Sequence, residues 1–489
     1  MRIRYFLAAV ILSAAAHAQQ VPIPQGADLF DDFGDGELSL FTDLSGGWNG
    51  GSIVNAGGGL QYFGSSFALT AEVYMRRDGV IDGTTANTVT GDVGGFYFWM
   101  ESGGMAWRIG DLTFRGGRLP HYDFVNSPYS LLIHGDGLTA DILEITYDSG
   151  RFLYSSRWIE LNHNSDVVTT VFPTGFPDRG ANLKTYAVRF GDMTFGIQDA
   201  IVYAGRSFDF EYFVSPIPAY VIQDARRQTG RPWSEEGEEN NIIGFFWNWA
   251  RPDGWDIHTQ WILDDGNLHW LNPDVFDTHQ PFKMAWTAGV SRKTPSGTFS
   301  FYHAGATKYS FQTSWGLPGR EYGYAYFPDV VFNLRSGAEA AIPFESMMLG
   351  YRHGENNLAF LGAWNGNAAG FDLGASLEFT VSGSKSPANA WHEDYYNPDD
   401  GTKLLNESPL EWRILAAAGV SRRVGDFLLY AGVSAGYVFN ELELEDTGEI
   451  PDGHYTIDPY NRLQIWRPSD ADRFLFAVTV GGRYRLRIK

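Results

Sequence analysis

The stretch Arg473-Phe474-Leu475-Phe476-Ala477-Val478-Thr479-Val480-Gly481-Gly482-Arg483-Tyr484-Arg485-Leu486-Arg487-Ile488-Lys489 decides the fold. Phe474, Phe476, Val478, Val480, Gly482, Tyr484, Leu486 and Ile488 share one face. Arg473, Ala477, Thr479, Gly481, Arg483, Arg485 and Arg487 share the other, with Leu475 the exception. Successive side chains of a strand point to opposite sides, so this is a strand apolar on one face and basic on the other. Strands of soluble sandwiches average five or six residues. This one has the length that a tilted strand needs to cross a bilayer.

The same pattern recurs upstream. In 370–383, Phe371, Leu373, Ala375, Leu377, Phe379 and Val381 oppose Asp372, Gly374, Ser376, Glu378 and Thr380. In 281–293, Phe282, Met284, Trp286, Ala288 and Val290 oppose Lys283, Ala285, Thr287, Gly289 and Ser291. In 255–265, Trp255, Ile257, Trp261 and Leu263, with Thr259 among them, oppose Asp256, His258, Gln260 and Asp264, with one apolar break at Ile262. Polar faces carrying charge and glycine suit a wet lumen. Tight turns at Gly191-Asp192, Arg251-Pro252-Asp253-Gly254, Thr294-Pro295-Ser296-Gly297 and Val424-Gly425-Asp426 alternate with polar loops at 162–181, 205–240, 265–280, 383–410 and 441–472. Short turns on one side and long loops on the other are the habit of transmembrane barrels. The parity holds from residue 139 onward if 322–334 is a strand and 316–321 a short outer loop. Before 139 the candidate strands are 52–62, 66–76, 94–100, 104–114 and 129–134. The expectation is an all-β, closed antiparallel transmembrane β-barrel of about 18 strands, within 16–20, with one long, partly inward-folded loop.

At the other end of the chain, Arg2 and Arg4 precede an apolar run from Tyr5 to Ala16, and Ala16-His17-Ala18 fits a small-x-small cleavage pattern. This predicts a cleaved signal peptide over 1–18, with Gln19 or Gln20 as the mature start. A periplasmic segment over 19–50 and a barrel over 51–489 follow. The expected location is the bacterial outer membrane, with membrane lipid and the outer-membrane barrel assembly machinery as partners. The final Ile488-Lys489 stands where such barrels usually end in an aromatic residue.

Composition removes several functions. A formal charge of −22 argues against nucleic acid, which needs clustered positive charge. With no cysteine there is neither a disulfide nor a thiolate metal site. No His-Glu-x-x-His, Gly-x-Ser-x-Gly or phosphate-loop motif occurs. His392-Glu393-Asp394 with Asp399 and Asp400 lacks the ligand spacing of a calcium loop and reads as a solvated acidic loop. Ser300 and His303 differ by three and fall on opposite faces of one strand, a poor catalytic dyad. No catalytic residue, cofactor or metal is expected.

Residues 199–290 are more specific. Asp-Ala-Ile-Val-Tyr203-Ala-Gly205-Arg206 is followed by Tyr212, Pro216, Asn240-Asn241, Gln260, Asp264-Asp265, Lys283 and Gly289. This order resembles the Wzi-type capsule assembly family of outer-membrane barrels, over about 90 of the 489 residues. The resemblance implies a barrel of roughly 18 strands that binds exported polysaccharide and helps retain it without catalysis. Two departures stand. Only the segment 19–50 precedes the first strand-like segment, where the family has a helical bundle. The stretch 126–133 follows the family's Gly-Pro…Leu…Leu-Ser-Asn segment only loosely.

Two functions are therefore open: a polysaccharide-binding barrel, or a general or substrate-selective porin. For the first, Trp233, Tyr322, Tyr324, Trp391, Tyr395 and Tyr396 are the candidate stacking residues, since flat apolar faces pack on aromatic rings. Tyr322, Tyr324 and Tyr326 alternate; facing lipid they would be part of an aromatic girdle, the favoured reading, and facing the lumen a stacking track. Arg206, Asp256, His258, Asp264 and Lys283 are candidates for a lumen charge network, with bracing favoured over ligand contact for Arg206, Asp264 and Lys283. Loop 205–240 carries Phe208, Phe210, Tyr212, Phe213, Tyr220 and Trp233, so it is expected to plug the lumen or pack over the outer mouth. The basic face of the last strand calls for acids on the first strand or a periplasmic plug, with Asp31, Asp32, Asp35 and Glu37 as candidates.

Overall fold

The computed structural model describes residues 36–77, 96–125, 127–134, 139–169, 172–228, 230–234, 239–264, 282–312, 319–333, 339–342, 344–386, 403–447 and 463–488. The alternating segments form 18 strands. They are β1 (Glu37–Asn49), β2 (Ser52–Phe63), β3 (Phe67–Arg77), β4 (Tyr97–Ile109), β5 (Leu112–Leu119), β6 (Ala140–Asp148), β7 (Phe152–Asn162), β8 (Arg179–Phe190) and β9 (Met193–Ala204). After these come β10 (Glu239–Ala250), β11 (Trp255–Asp264), β12 (Lys283–Thr294), β13 (Gly297–Ala306), β14 (Asn357–Ala368), β15 (Phe371–Ser382), β16 (Glu411–Val424), β17 (Phe427–Phe439) and β18 (Arg473–Ile488). Each pairs antiparallel with its chain neighbours, and β1 closes on β18 from Leu38↔Ile488 to Asn49↔Ala477. The result is a closed 18-strand antiparallel barrel.

Alternation sorts the side chains as the sequence predicts. On β18, Phe474 (65% exposed) and Val480 (59%) face outward, whereas Ala477 faces in. Leu475, the exception in the pattern, packs inward with Leu415 and Val438. The turns at 110–111, 149–151, 191–192, 251–254, 295–296, 369–370 and 425–426 gather at one end, and the long loops at the other. At 369–370 the tight turn places both Ala369 (φ 53) and Gly370 (φ 77) in the left-handed region, the signature of a type I′ hairpin.

The structure corrects four expectations. The barrel begins at Glu37 rather than 51, because 37–49 is a full wall strand. Its inward face carries Phe41 and Asp43, and Arg483 lies over the Phe41 ring at 4.8 Å while bonding Asp43 at 2.9 Å. Asp43 and, at 3.4 Å, Glu37 therefore supply the acids that the basic last strand calls for. Asp31, Asp32 and Asp35 lie outside the described residues, as does the expected signal peptide. Second, 94–100 and 104–114 are not separate strands: β4 runs through both, and Gly110-Asp111 turns it into β5. Third, 129–134 and the described part of 322–334 are not wall strands, and Tyr129, Leu131, Leu132, Ile133, Tyr324 and Tyr326 fill the lumen. Fourth, loop 205–240 does not plug the barrel; it lies against the outside of the wall.

Candidate functional site

The lumen at the long-loop end is filled by the described residues of two segments, 120–134 and 307–356. Tyr129, Leu131, Leu132 and Ile133 from the first, and Phe311, Tyr324, Tyr326, Phe344, Met348, Leu349 and Tyr351 from the second, form one buried cluster with inward residues of the wall, among them Ile142, Leu183, Val202 and Ile242. The two segments also bond each other. The Tyr351 N–H donates to the Leu131 carbonyl at 3.2 Å, and the Tyr324 hydroxyl to the Leu132 carbonyl at 2.9 Å. Gly350 is needed at this crossing, since a Cβ there would stand 2.0 Å from the Leu131 carbonyl oxygen.

The wall holds both segments by polar groups on its inner face. Gln260 is the hub for the first: its Oε1 accepts from the Leu131 N–H at 2.8 Å, and its Nε2 donates to Asp123 at 2.9 Å and Gln198 at 2.8 Å. Arg157 donates to the Tyr122 carbonyl at 2.7 Å, and Asn248 to the Phe124 carbonyl at 3.0 Å. The Tyr129 hydroxyl reaches Glu378 at 2.7 Å. For the second segment, Arg179 donates to the carbonyls of Gly323 and Ala325 at 2.9 Å each, of Tyr326 at 3.3 Å, and of Glu321. Asp264 accepts from the Phe311 N–H, and Lys283 donates to the Gln312 carbonyl at 2.7 Å. Buried polar groups are tolerated only when bonded in this way. Burial drives the ionisable groups of these loops toward neutrality. His121 is pushed well below the usual imidazole range, Asp123 is raised, and His353 is lowered to about 4.

The candidates for one charge network separate. Asp264 and Lys283 stand opposite each other in register and brace the lumen loops. His258 is buried further down β11, 4.0 Å from Asp256 and with its ring 5.8 Å from Tyr302. Arg206 is not in the lumen. It lies on the outer wall, bonding Asp209 at 2.7 Å and Glu239, because β9 ends at Ala204 and the chain folds back outside at Gly205 (φ 77).

That outer loop is a helical hairpin, α1 (Phe210–Val214) and α2 (Ala219–Arg227). Asp209 caps α1, accepting from the N–H groups of Glu211 and Tyr212. Arg226 binds Asp209 through both terminal nitrogens at 2.8 and 3.0 Å, and lies 4.5 Å over the Tyr212 ring. Tyr212 stacks on Tyr203 of the wall at 5.8 Å, and Arg206 lies 4.8 Å over Tyr203. On the outward face of β8 and β9, Lys184 donates to the Ile217 carbonyl, Tyr186 to the Pro216 carbonyl at 2.9 Å, and Asp199 accepts from the Ala219 N–H at the start of α2. Asn241 donates to Asp199 at 2.7 Å.

The candidate stacking residues also divide. Tyr324 and Tyr326 are buried in the lumen, neither a lipid-facing girdle nor an open sugar track. Tyr322 ends a short 3-10 turn at Gly319–Tyr322 and is half-buried. Trp233 is 60% exposed beyond α2. Trp391, Tyr395 and Tyr396 fall outside the described residues, as do His392 to Asp394. Among the described residues no group of three metal-binding side chains converges. Ser300 accepts from Ser291 inside the barrel, while His303 bonds Trp286 on the outside, so the two do not meet. Sequence reading missed Arg179, Gln198 and Asn248, which are isolated polar residues at inward positions of otherwise ordinary strands.

No family model and no curated protein matches the chain. Solved structures do match. Wzi of Escherichia coli, described as an outer-membrane protein involved in group 1 capsule assembly and a carbohydrate-binding β-barrel, aligns over 92% of this chain and 84% of its own, with a TM-score of 0.52 and 9% identity. OprD of Pseudomonas aeruginosa aligns over 95% and 99% with a TM-score of 0.45 and 9% identity. OpdK of the same organism aligns over 93% and 99% with a TM-score of 0.46 and 10% identity. The likeness extends to the fold: the chain is an outer-membrane β-barrel.

Proposed function

We propose that this barrel binds surface polysaccharide at its long-loop end and helps assemble or retain it, without catalysing a reaction. The filled lumen carries this reading. A diffusion pore needs a continuous wet path, yet here buried aliphatic and aromatic side chains from 120–134 and 307–356 occupy the bore and are bonded to the wall on several sides. The resemblance of residues 199–290 to the Wzi-type family supports the same reading, as does a fold shared with a barrel described as carbohydrate-binding. Trp233, Tyr322, Trp391, Tyr395 and Tyr396 are the proposed stacking groups, with lipid as the surrounding partner. The test pairs two measurements on refolded protein. Planar-bilayer recording should be silent, and a glycan array should give a signal that Trp391→Ala or Tyr395→Ala removes. Steady conductance without ligand would establish the porin instead.

A further inference from the structure

The proposed function gives no role to the hairpin on the outer wall. Its two sides differ sharply. The side against the barrel packs Tyr212, Ala219 and Ile222 on Ile201 and Tyr203, and its backbone covers Lys184 and Asp199, both buried, on the outward face of β8 and β9. A lysine and an aspartate facing hydrocarbon would be costly, so the wall at this place is built to be covered. The side away from the barrel carries Phe210 (68% exposed), Val214 (51%), Ile217 (49%), Tyr220 (49%) and Val221 (50%). In water this second side would be an exposed apolar patch.

Its depth is fixed by its bonds. Lys184 lies five residues below Arg179, the first residue of β8, or roughly 17 Å along the strand at about 3.3 Å per residue. Tyr186, which holds Pro216, lies two residues deeper. The tip over 214–220 therefore reaches down the wall, not over the mouth. The other end of α2, with Arg226 and Arg227, is level with the strand ends, where Gln223 donates to the Glu239 carbonyl at 3.0 Å. Below the tip the surface continues without a break into an apolar crease lined by Tyr186, Phe195, Ile197, Phe245, Trp247 and Trp261. Tyr186 belongs to both surfaces.

We propose that residues 206–227 form an outer-leaflet anchor, with the apolar side of the hairpin lying among lipid acyl chains and the arginine end at headgroup level. Continuity with the lipid-facing wall, and cations placed above apolar residues, identify the occupant as membrane lipid.

The chain has no cysteine, so single labels can be placed cleanly. Val214→Cys, Ile217→Cys and Val221→Cys would carry an environment-sensitive fluorophore in phosphatidylcholine vesicles with or without spin-labelled acyl chains. Leu429→Cys on the opposite lipid-facing wall and Ser149→Cys in a short turn are the references, and heat-modifiable gel migration verifies that each variant folds. The hairpin labels should be quenched by the acyl-chain spin label as strongly as Leu429→Cys, at least threefold more than Ser149→Cys, and be shielded from iodide. Iodide quenching equal to that of Ser149→Cys would overturn the anchor. So would shielding from both quenchers with bismaleimide cross-linking between copies, which would make the face a contact between barrels. Since three positions report independently, one variant that fails to fold leaves two to decide. Neither outcome depends on glycan binding or conductance.

Discussion

Replacing Arg179 by methionine should unlatch the second lumen segment and open the barrel transiently. Arg179 is fully buried, and its guanidinium satisfies the carbonyls of Glu321, Gly323, Ala325 and Tyr326 and the Asn162 side chain. Hydrogen bonds to a charged donor contribute about 1.5–3 kcal/mol each. Burying the guanidinium costs several kcal/mol in return, and carbonyls released into a wet lumen regain water. Methionine keeps most of the volume, so the loss falls on the closed arrangement of 319–326 rather than on the barrel. A net change of roughly 3 kcal/mol multiplies the open population by about a hundredfold, at about 1.4 kcal/mol per tenfold. The assay is single-channel recording in a planar bilayer, with trypsin cleavage at Arg320 as an independent reading of loop release. Brief openings absent from the parent protein are expected, with unchanged heat-modifiable migration. A variant as silent and as protease-resistant as the parent would refute the latch.

Gly289→Ala should destabilise the barrel by about 1–3 kcal/mol in urea unfolding, because its Cβ would stand 2.3 Å from His258 Cε1 and 2.6 Å from Tyr302 Cδ1; adding His258→Ala should recover part of the loss. Burial holds His353 near 4, beside Glu378, Arg352 and Lys385. An imidazole whose folded value is depressed contributes stability above about 6.5 that is lost as pH falls through about 4, about 3 kcal/mol in all. Amide exchange in 349–354 should therefore accelerate, relative to its intrinsic rate, between those values, and His353→Gln should flatten the change. Replacing 207–238 by a short turn should leave conductance unchanged, since the hairpin is outside the lumen, yet lower stability by about 1–4 kcal/mol as Lys184 and Asp199 meet lipid. Lys184→Leu with Asp199→Leu in the shortened chain should restore it.

The wall was legible because lipid outside and a polar lumen inside impose a two-residue period on every strand, as in β15, where Leu377 faces out and Glu378 is buried inside. The first strand was harder, since Phe41 occupies an inward position and Gly46-Gly47 dilutes the outward pattern. The loops defeated the same logic. Tyr322, Tyr324 and Tyr326 alternate as a strand would, but burial against other loops rewards apolar side chains as lipid does. Periodicity cannot tell a filled lumen from a wall. Loop 205–240 had to be covered because it is so aromatic, but its sequence does not say which side of the wall covers it. That information lies in β8 and β9, where Lys184 and Asp199 stand at outward positions that lipid would refuse.

The residues that carry the family resemblance acquire a common role in this light. Tyr203, Arg206, Tyr212, Pro216 and Asn241 pin the hairpin to the outside, and Gly205 supplies the left-handed residue where the chain doubles back. Gln260, Asp264 and Lys283 hold the two segments inside, and Gly289 makes room for His258. All ten secure loops or wall packing at β8–β12. A motif of this kind fixes how one side of the barrel is closed and how the hairpin lies against it. On the proposed function, ligand choice comes from groups at the long-loop end and not from the frame itself. Substitutions within the motif should accordingly alter stability, gating and lipid contact together across that side, while substitutions at Trp391 or Tyr395 should alter glycan recognition with the barrel intact.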